Sequence, residues 1–524
     1  MTDGRIERHP VLEFKRGRKI HFSYDGKKRV AYEGETIASA LYAEGVRIFS
    51  RSLKYHRPRG MFCGIGKCSN CLMTVNGIPN VRTCIVPVEE GMVVESQNAF
   101  PSASHDIYSI IDKLPIDLRP GFFYEKFTRP RFVRDVYLRF VRRLSGIGKF
   151  PEKEASTKRR TKIRAGETDV GIVGGGPAGL SAAISAARYG VKVTLIDENH
   201  ALGGQLLKQT HRFFGSAKHG AGVRGIRIAE EIIDELQKYE NIEVLLKATV
   251  FGVYEEKVLG VMRENELIKL KAKKMIVTTG AYERTLIFEN NDLPGVYGAG
   301  GVQTLMNVHG VKPGDNALMI GAGNVGLIIS YQLLQAGVDV RGVVEAMPRI
   351  GGYAVHAAKI RRMGVPILTS HTIKKALGRR KVEGARIIRL DEDFNEIPGT
   401  ERDLECDLIC ISVGLKPTYE LLFQAGCEVR FIPELGGYAP LRDKYLETTA
   451  EGVYVAGDVS GIEEASTAVM EGRITGISAA LSLGKGDEGA ERLREEIISE
   501  LREMRSSPFG EKIRLGLEKA LFDR

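Results

Sequence analysis

An α/β protein carrying an α+β module at its amino terminus is what the sequence predicts, and three patterns predict it. Two runs, one opening near Asp169 and one near Ala317, pass from an apolar strand through a glycine loop into a helix and return to a strand ending in an acid. Ahead of them, short alternating strands, glycine turns and four of the seven cysteines crowd into the first hundred residues. The third is size: at 524 residues the chain exceeds what one core holds, so several domains are required.

The amino-terminal elements follow in order. Residues 18–37 read as two strands joined at Asp25-Gly26, a hairpin signal. A short helix from Thr36 to Glu44 ends at Gly45, where a residue of positive φ caps the last turn. The cysteines Cys63, Cys68, Cys71 and Cys84 then fall in the order C-x4-C-x2-C-x12-C within 22 residues. Three sit in one loop with Gly64 and Gly66, and the fourth arrives after the strand Leu72–Val75 and the turn Asn76-Gly77. Four thiolates at this spacing are the ligand pattern of a plant-type [2Fe-2S] cluster, one loop wrapping three ligands. The rival is a structural zinc site, which usually pairs two short cysteine knuckles. The module, residues 1–104, reads as a β-grasp, ferredoxin-like fold. A connector, 105–165, follows, and its aromatics Phe122, Phe123, Tyr124, Phe127, Phe132, Tyr137 and Phe140 predict docking against a further domain or a partner chain.

The first glycine run contains Gly174-x-Gly176-x-x-Gly179, with Pro177 and Ala178 opening the helix and Asp197 and Glu198 closing the second strand. In this full strand–loop–helix context the motif binds an adenine dinucleotide. Its glycines allow the turn and close pyrophosphate approach, and the acid accepts ribose hydroxyls. The second run repeats it with Gly321, Gly323, Asn324, Val325, Gly326 and Glu345. An acid there favours NAD over NADP, while a pocket that is empty or holds only an adenine nucleotide such as ATP stays open. Further on stand Thr279-Gly280, and then Gly457-Asp458 at the end of EGVYVAGD. With these the chain resembles the two-dinucleotide flavoprotein superfamily related to thioredoxin and glutathione reductases. That resemblance implies two Rossmann-like domains. An FAD domain (166–295 and 415–485) is interrupted by an NAD-type domain (296–414), with Asp458 bonding the flavin ribityl chain. Gly204 and Gln205 lie in the loop expected near the flavin. Residues 486–524 read as a tail of two short amphipathic helices.

Other patterns exclude functions. Residues 198–215 lack the cysteine pair of a disulfide reductase. His200, His211 and His219 match no ligand spacing and read as loop histidines; no catalytic residue is assigned. Cys406, Cys410 and Cys427 read as core. The net charge of +10 is interleaved with acids except in Lys153–Arg164, which reads as a solvated linker, so nucleic acid is not expected. No apolar run approaches the ~18 residues of a membrane span and no signal region opens the chain, which places it in the cytoplasm without membrane insertion.

The blocks ETIASALYAEGVRIFSRSLKYHRPRG, VVESQNAFPSASHDIY, PGFFYEKF and GGQLLKQTHRFFGSAKHGAGVRGI resemble the α subunits of heterotetrameric sarcosine oxidase, dye-linked L-proline dehydrogenase, D-hydroxyproline dehydrogenase, opine oxidase and hydrogen cyanide synthase. Sarcosine oxidase α subunits lack the four cysteines and carry a folate-binding aminomethyltransferase-like domain, so folate-linked chemistry is not expected on this chain. The resemblance implies an electron-transfer subunit. Its partner is an FAD-containing β subunit of the amino-acid-oxidase type, with small additional subunits and FMN at an interface in some members. Electrons pass to a downstream acceptor. Three other readings remain: a self-contained NADH-dependent reductase, a relay for glycerol-3-phosphate dehydrogenase, and a scaffold.

Overall fold

The computed structural model describes residues 3–113, 129–144, 161–213 and 221–522. They divide into two compact units, one drawn from Met1–Thr157 and Glu283–Val413, the other from Lys158–Tyr282 and Gly414–Arg524. The amino-terminal module thus shares a unit with the second dinucleotide fold, which no sequence pattern indicates. The sequence pattern starts the inserted domain at 296 and the first dinucleotide fold at 166. The unit takes in Glu283 onward, and the first fold opens on the strand Lys162–Val173.

In the first unit, a five-stranded sheet orders Lys27–Tyr32, Lys19–Tyr24, Val93–Ser96, Leu72–Val75 and Ile78–Arg82. The hairpin pairs Tyr24 with Lys27, and Asp25 and Gly26 both take positive φ, as a type I′ turn requires. The helix Ile37–Ala43 is capped by Thr36 and Ser39 reciprocally and is buried along its whole length. Burial on every side follows from where it sits, against the second fold of the same unit. The Tyr42 hydroxyl donates to the carbonyl of Pro313, and Tyr42, Phe49, Tyr297, Val302 and Leu305 share one core. Each such side chain removed from water contributes roughly 1.5–3 kcal/mol. One ion pair and two hydrogen bonds line the join: Arg59 meets Asp292 at 2.8 Å, and Arg16 donates to the carbonyls of His309 and Gly310 at 3.0 and 2.9 Å.

The second fold of this unit is an all-parallel sheet, Val296–Gly298, Leu408–Ile411, Asn316–Ile320, Asp339–Val344 and Ile367–Leu368, with an antiparallel sheet of three strands beside it. Cys406 and Cys410 are buried in its core. Its helix Ala299–Asn307 carries Gly301, where a Cβ would stand 2.2 Å from the Phe62 carbonyl oxygen and 3.0 Å from the Cys63 carbonyl carbon. The cysteine loop therefore rests on bare helix backbone. Gly301→Ala is expected to push this loop away and to lower bound iron per chain by at least about half, with flavin unchanged. Iron assay against flavin absorbance checks it.

In the other unit the sheet orders Ile242–Leu245, Val193–Ile196, Lys162–Val173, Glu266–Val277, Val258–Arg263 and Ala248–Tyr254, and Val453–Val455 pairs with Glu266–Val277 in parallel. The helices Pro177–Ala187 and Ala465–Ser482 approach closely through Gly472 and Gly476, whose Cβ atoms would strike the carbonyls of Ala178 and Ala182. The tail forms the helices Glu488–Arg505 and Glu511–Ala520; the first packs Ile497, Ile498 and Leu501 against Met470, Ile474 and Ile477. Among the described residues no helix is long and apolar enough to cross a membrane.

Of the connector aromatics, Phe122, Phe123, Tyr124 and Phe127 lie outside the described residues. The helix Arg131–Leu144 carries Phe132, which is exposed, and Tyr137, which is partly buried.

Candidate cluster site and dinucleotide sites

The cysteine loop folds around its own sulfurs. Gly64 and Gly66 take φ of 65° and 72°, the left-handed region that lets the chain curl back in two steps. The curl aims amides inward: the Gly66 N–H donates to Cys84 Sγ and the Cys68 N–H to Cys63 Sγ, each at 3.3 Å. The thiols are linked in one row, Cys68 to Cys63, Cys63 to Cys84 and Cys84 to Cys71. Hydrogen bonds from Cys68 and Cys84 hold the Cys63 thiol far below its usual range, and one from Cys84 lowers Cys71. Cys68 and Cys84, the donors, are pushed up. Among the described residues no three His, Cys, Asp or Glu side chains are placed to hold one metal ion. Four linked sulfurs, two of which accept from backbone amides, fit a two-iron centre, whose thiolates need such donors. His56, which borders the loop in sequence, is engaged elsewhere: its Nδ1 lies 2.7 Å from Asp106 Oδ2, both buried.

The first dinucleotide loop is built from contacts only glycine permits. A Cβ on Gly174, at φ 112°, would lie 2.4 Å from the Thr278 carbonyl oxygen, and one on Gly179 would lie 1.8 Å from that of Gly174. Gly176 differs: at φ −77° any residue is tolerated, and its nearest neighbour is Gly204 Cα at 4.0 Å. Gly176 caps the helix Pro177–Ala187 without a side-chain bond, so its first amides face this backbone-lined space. Asp197 Oδ2 accepts from the Gly175 N–H at 2.6 Å and Oδ1 from the Asn199 N–H at 2.7 Å, which fixes the carboxylate at the loop. Gly203 donates to the Gly175 carbonyl, setting Gly204 and Gln205 across from the helix start. A Cβ on Gly457 would lie 3.0 Å from Ala178 Cβ, so Asp458 comes to the same end of the helix. Thr279 and Gly280 stand at the crossover: Thr279 Oγ1 donates to the Thr418 carbonyl, and the Gly280 carbonyl accepts from the Thr418 N–H. Thr278, one residue earlier, touches the glycine loop, its hydroxyl donating to the carbonyls of Val173 and Gly174 at 2.9 and 2.8 Å. Glu198 stands half-buried beside Asp197.

The second loop repeats the glycine and acid contacts of the first. Cβ atoms on Gly321 and Gly326 would strike the carbonyls of Ser412 and Gly321 at 2.1 Å, whereas Gly323 has nothing within 4 Å. Glu345 Oε2 accepts from the Ala322 N–H at 2.7 Å, and Gly352 donates to the Ala322 carbonyl as Gly203 does to Gly175. Asn324 Oδ1 accepts from the Tyr353 N–H at 2.8 Å, and Val325 is exposed at the helix start.

Gly176→Val is therefore expected to fold normally while filling the cradle, so that the purified variant carries under about a tenth of wild-type flavin. A full flavin complement would move the cofactor to another site. Gly179→Ala, with its Cβ inside the Gly174 carbonyl, is expected not to fold.

A dinucleotide cradle and a four-sulfur loop in one chain define a flavin and iron-sulfur oxidoreductase. The chain belongs to the pyridine nucleotide-disulphide oxidoreductase family, which matches residues 168–472, and residues 17–99 match the 2Fe-2S iron-sulfur cluster binding domain. Its cofactors are accordingly FAD and a [2Fe-2S] cluster. The sarcosine oxidase alpha chain of Rhizobium meliloti (strain 1021) is 34% identical over 370 residues, 67% of this chain and 36% of that protein. An opine oxidase component from Agrobacterium tumefaciens (strain Ach5) is 27% identical over 340 residues, 60% of this chain and 66% of that one. The chain thus spans well under half the length of the sarcosine oxidase relative. The crystal structure of L-proline dehydrogenase from P. horikoshii shares the fold, with a TM-score of 0.65 at 24% identity over 93% of this chain and 79% of that one.

The flavin-type unit holds one cysteine, Cys427, buried against Thr448 and with its thiol raised by burial. His200 is shifted down by burial, and His211 rests against the Phe213 ring at 5.1 Å; His219 lies outside the described residues.

Proposed function

We propose that this chain is the electron-transfer subunit of a hetero-oligomeric, flavin-dependent amino-acid or amine dehydrogenase. Gly174, Gly176, Gly179, Asp197 and Asp458 hold its FAD, and Cys63, Cys68, Cys71 and Cys84 hold its cluster. One observation carries the reading: a dinucleotide cradle without a neighbouring cysteine pair stands in the same chain as a four-sulfur loop, whose cluster would supply the electron exit. Bound FAD takes up two electrons and releases them singly, while the cluster carries one. The chain's own groups bind and orient these centres. Oxidation of a secondary amine, such as proline, hydroxyproline, sarcosine or an opine, then falls to an FAD-containing partner chain. Relatives named as subunits of sarcosine and opine oxidases support that division.

The test is anaerobic stopped-flow absorbance on the purified chain, with NADH and with L-proline. No bleaching by either, and bleaching restored by a flavoprotein partner with its amine, is the expected result. A second reading, a self-contained NADH-dependent reductase, is favoured by the open Gly323 cradle and by Glu345, which suits an unphosphorylated ribose. Fast bleaching by NADH, abolished in Gly323→Val, would establish that reading instead.

A further inference from the structure

The loop Ala456–Glu463 carries Asp458 toward the dinucleotide helix, yet few of its bonds are its own. The Gly457 N–H donates to Glu471 Oε2 at 2.9 Å, the Ser460 carbonyl accepts from Arg442 Nη1 at 2.9 Å, and the Glu463 N–H reaches Asp458 Oδ1 at 3.4 Å. Three carboxylates, those of Asp458, Glu463 and Glu471, gather there with two guanidiniums, those of Arg442 and Arg505. Glu471 is 2% exposed and Arg442 4%. Arg505 is the last residue of the tail helix Glu488–Arg505 and its side chain is 12% exposed. Its Nε donates to Glu463 Oε2 at 3.0 Å, and its Nη2 donates to Glu463 Oε1 and, at 2.7 Å, to Glu471 Oε1. The turn beyond is pinned in its place, with Arg514 donating to the carbonyls of Arg505 and Ser507. Arg505 thus spans both acids that hold the loop, one through its backbone and one through Gly457.

We infer that the carboxy-terminal helices form a strap that sets the flavin loop through Arg505, a positioning residue that touches Glu463 and Glu471 and through them fixes Gly457 and Asp458. The inference rests on the reading that Asp458 and the Gly174–Gly179 loop hold FAD. Without Arg505, three clustered carboxylates face one guanidinium. Mutual repulsion among buried charges that lose their partner distorts the loop that carries them. The effect is electrostatic, so removing a charge of the other sign offsets it.

The full-length protein is stripped of flavin, and FAD binding is followed by quenching of flavin fluorescence, with far-UV circular dichroism as the check on folding. Arg505→Met is expected to weaken FAD binding by about tenfold or more. Adding Glu463→Gln to that variant is expected to recover affinity to within about threefold of wild type, because it removes the uncompensated charge. Leu501→Ala, one turn earlier and 4% exposed, is expected to lower the melting temperature without changing FAD affinity. Wild-type affinity in Arg505→Met, or no recovery in the double variant, overturns the inference. Should Arg505→Met not fold, Arg505→Lys decides: it keeps the charge and loses the bidentate grip, and FAD affinity equal to wild type counts against the strap. If Gly176→Val also binds FAD normally, the site reading has failed rather than the strap.

Discussion

Replacing Cys68 by serine is expected to leave a folded flavoprotein without its cluster: the iron-sulfur absorbance and the EPR signal of the reduced state vanish, and FAD stays. Serine offers an oxygen that remains protonated where iron needs a thiolate, so one of the four ligands is lost. The fold does not depend on that ligand. Cys68 is only partly buried, and the module shares its core, through Tyr42 and Phe49, with Tyr297 and Leu305 of the neighbouring fold. The glycines of the first dinucleotide loop belong to the other compact unit, with a core of its own. Cys406→Ser is the control. Cys406 is buried, its thiol pushed up to about 12 by burial, and it packs in the core of the second dinucleotide fold. That change should cost about 1–3 kcal/mol in stability and no iron. Loss of FAD together with the cluster in Cys68→Ser would undo the picture of independent sites.

Local rules decide which parts of this molecule can be read from its residues. The hairpin at Asp25-Gly26, the capped helix after Thr36 and the two glycine loops are set by φ, caps and periodicity within about thirty residues. The cysteine spacing and the glycines Gly64 and Gly66 specify a loop in the same local way. What local pattern does not carry is which compact body an element joins. Nothing in IASALYA signals that its whole surface is covered by the fold containing Tyr297 and Pro313. The motif picks out Thr279-Gly280, whereas the hydroxyl that bonds the glycine loop is that of Thr278, one residue earlier, and Thr279 bonds Thr418, 139 residues on, a pairing no local pattern carries. Glu471 falls in no motif, although a signal for it exists: in the helix run ASTAVMEGRITG the only charges are Glu471 and Arg473, and an acid on the buried face of such a helix must have a partner. That the partner is Arg505, 34 residues on, is set by tertiary packing alone.

Asp458→Asn is expected to make the flavin-free protein more stable at pH 8 and to make it hold FAD less well. Burial, with Glu463 and Glu471 nearby, raises the Asp458 carboxyl to about 7 in the folded chain, from 3.8. An acid whose folded pKa is raised is neutral in both states at low pH. Between about 4 and 7 the unfolded chain ionises and the folded chain does not, so stability falls through that window and stays reduced above it. A shift of this size corresponds to a loss on the order of 4 kcal/mol by pH 8, which asparagine does not incur. The melting temperatures of the two flavin-free proteins should therefore converge toward pH 4 and separate by several degrees at pH 8. FAD reverses the sign. Hydroxyl donors of a ribityl chain favour the carboxylate, so wild-type affinity should rise from pH 6 to pH 8 while that of Asp458→Asn stays flat and weaker. An acid that destabilises the empty protein and strengthens the loaded one marks a group placed for its ligand rather than for the fold. Equal melting temperatures at pH 8, or a wild-type FAD affinity that ignores pH over this range, would show that Asp458 faces something other than the flavin.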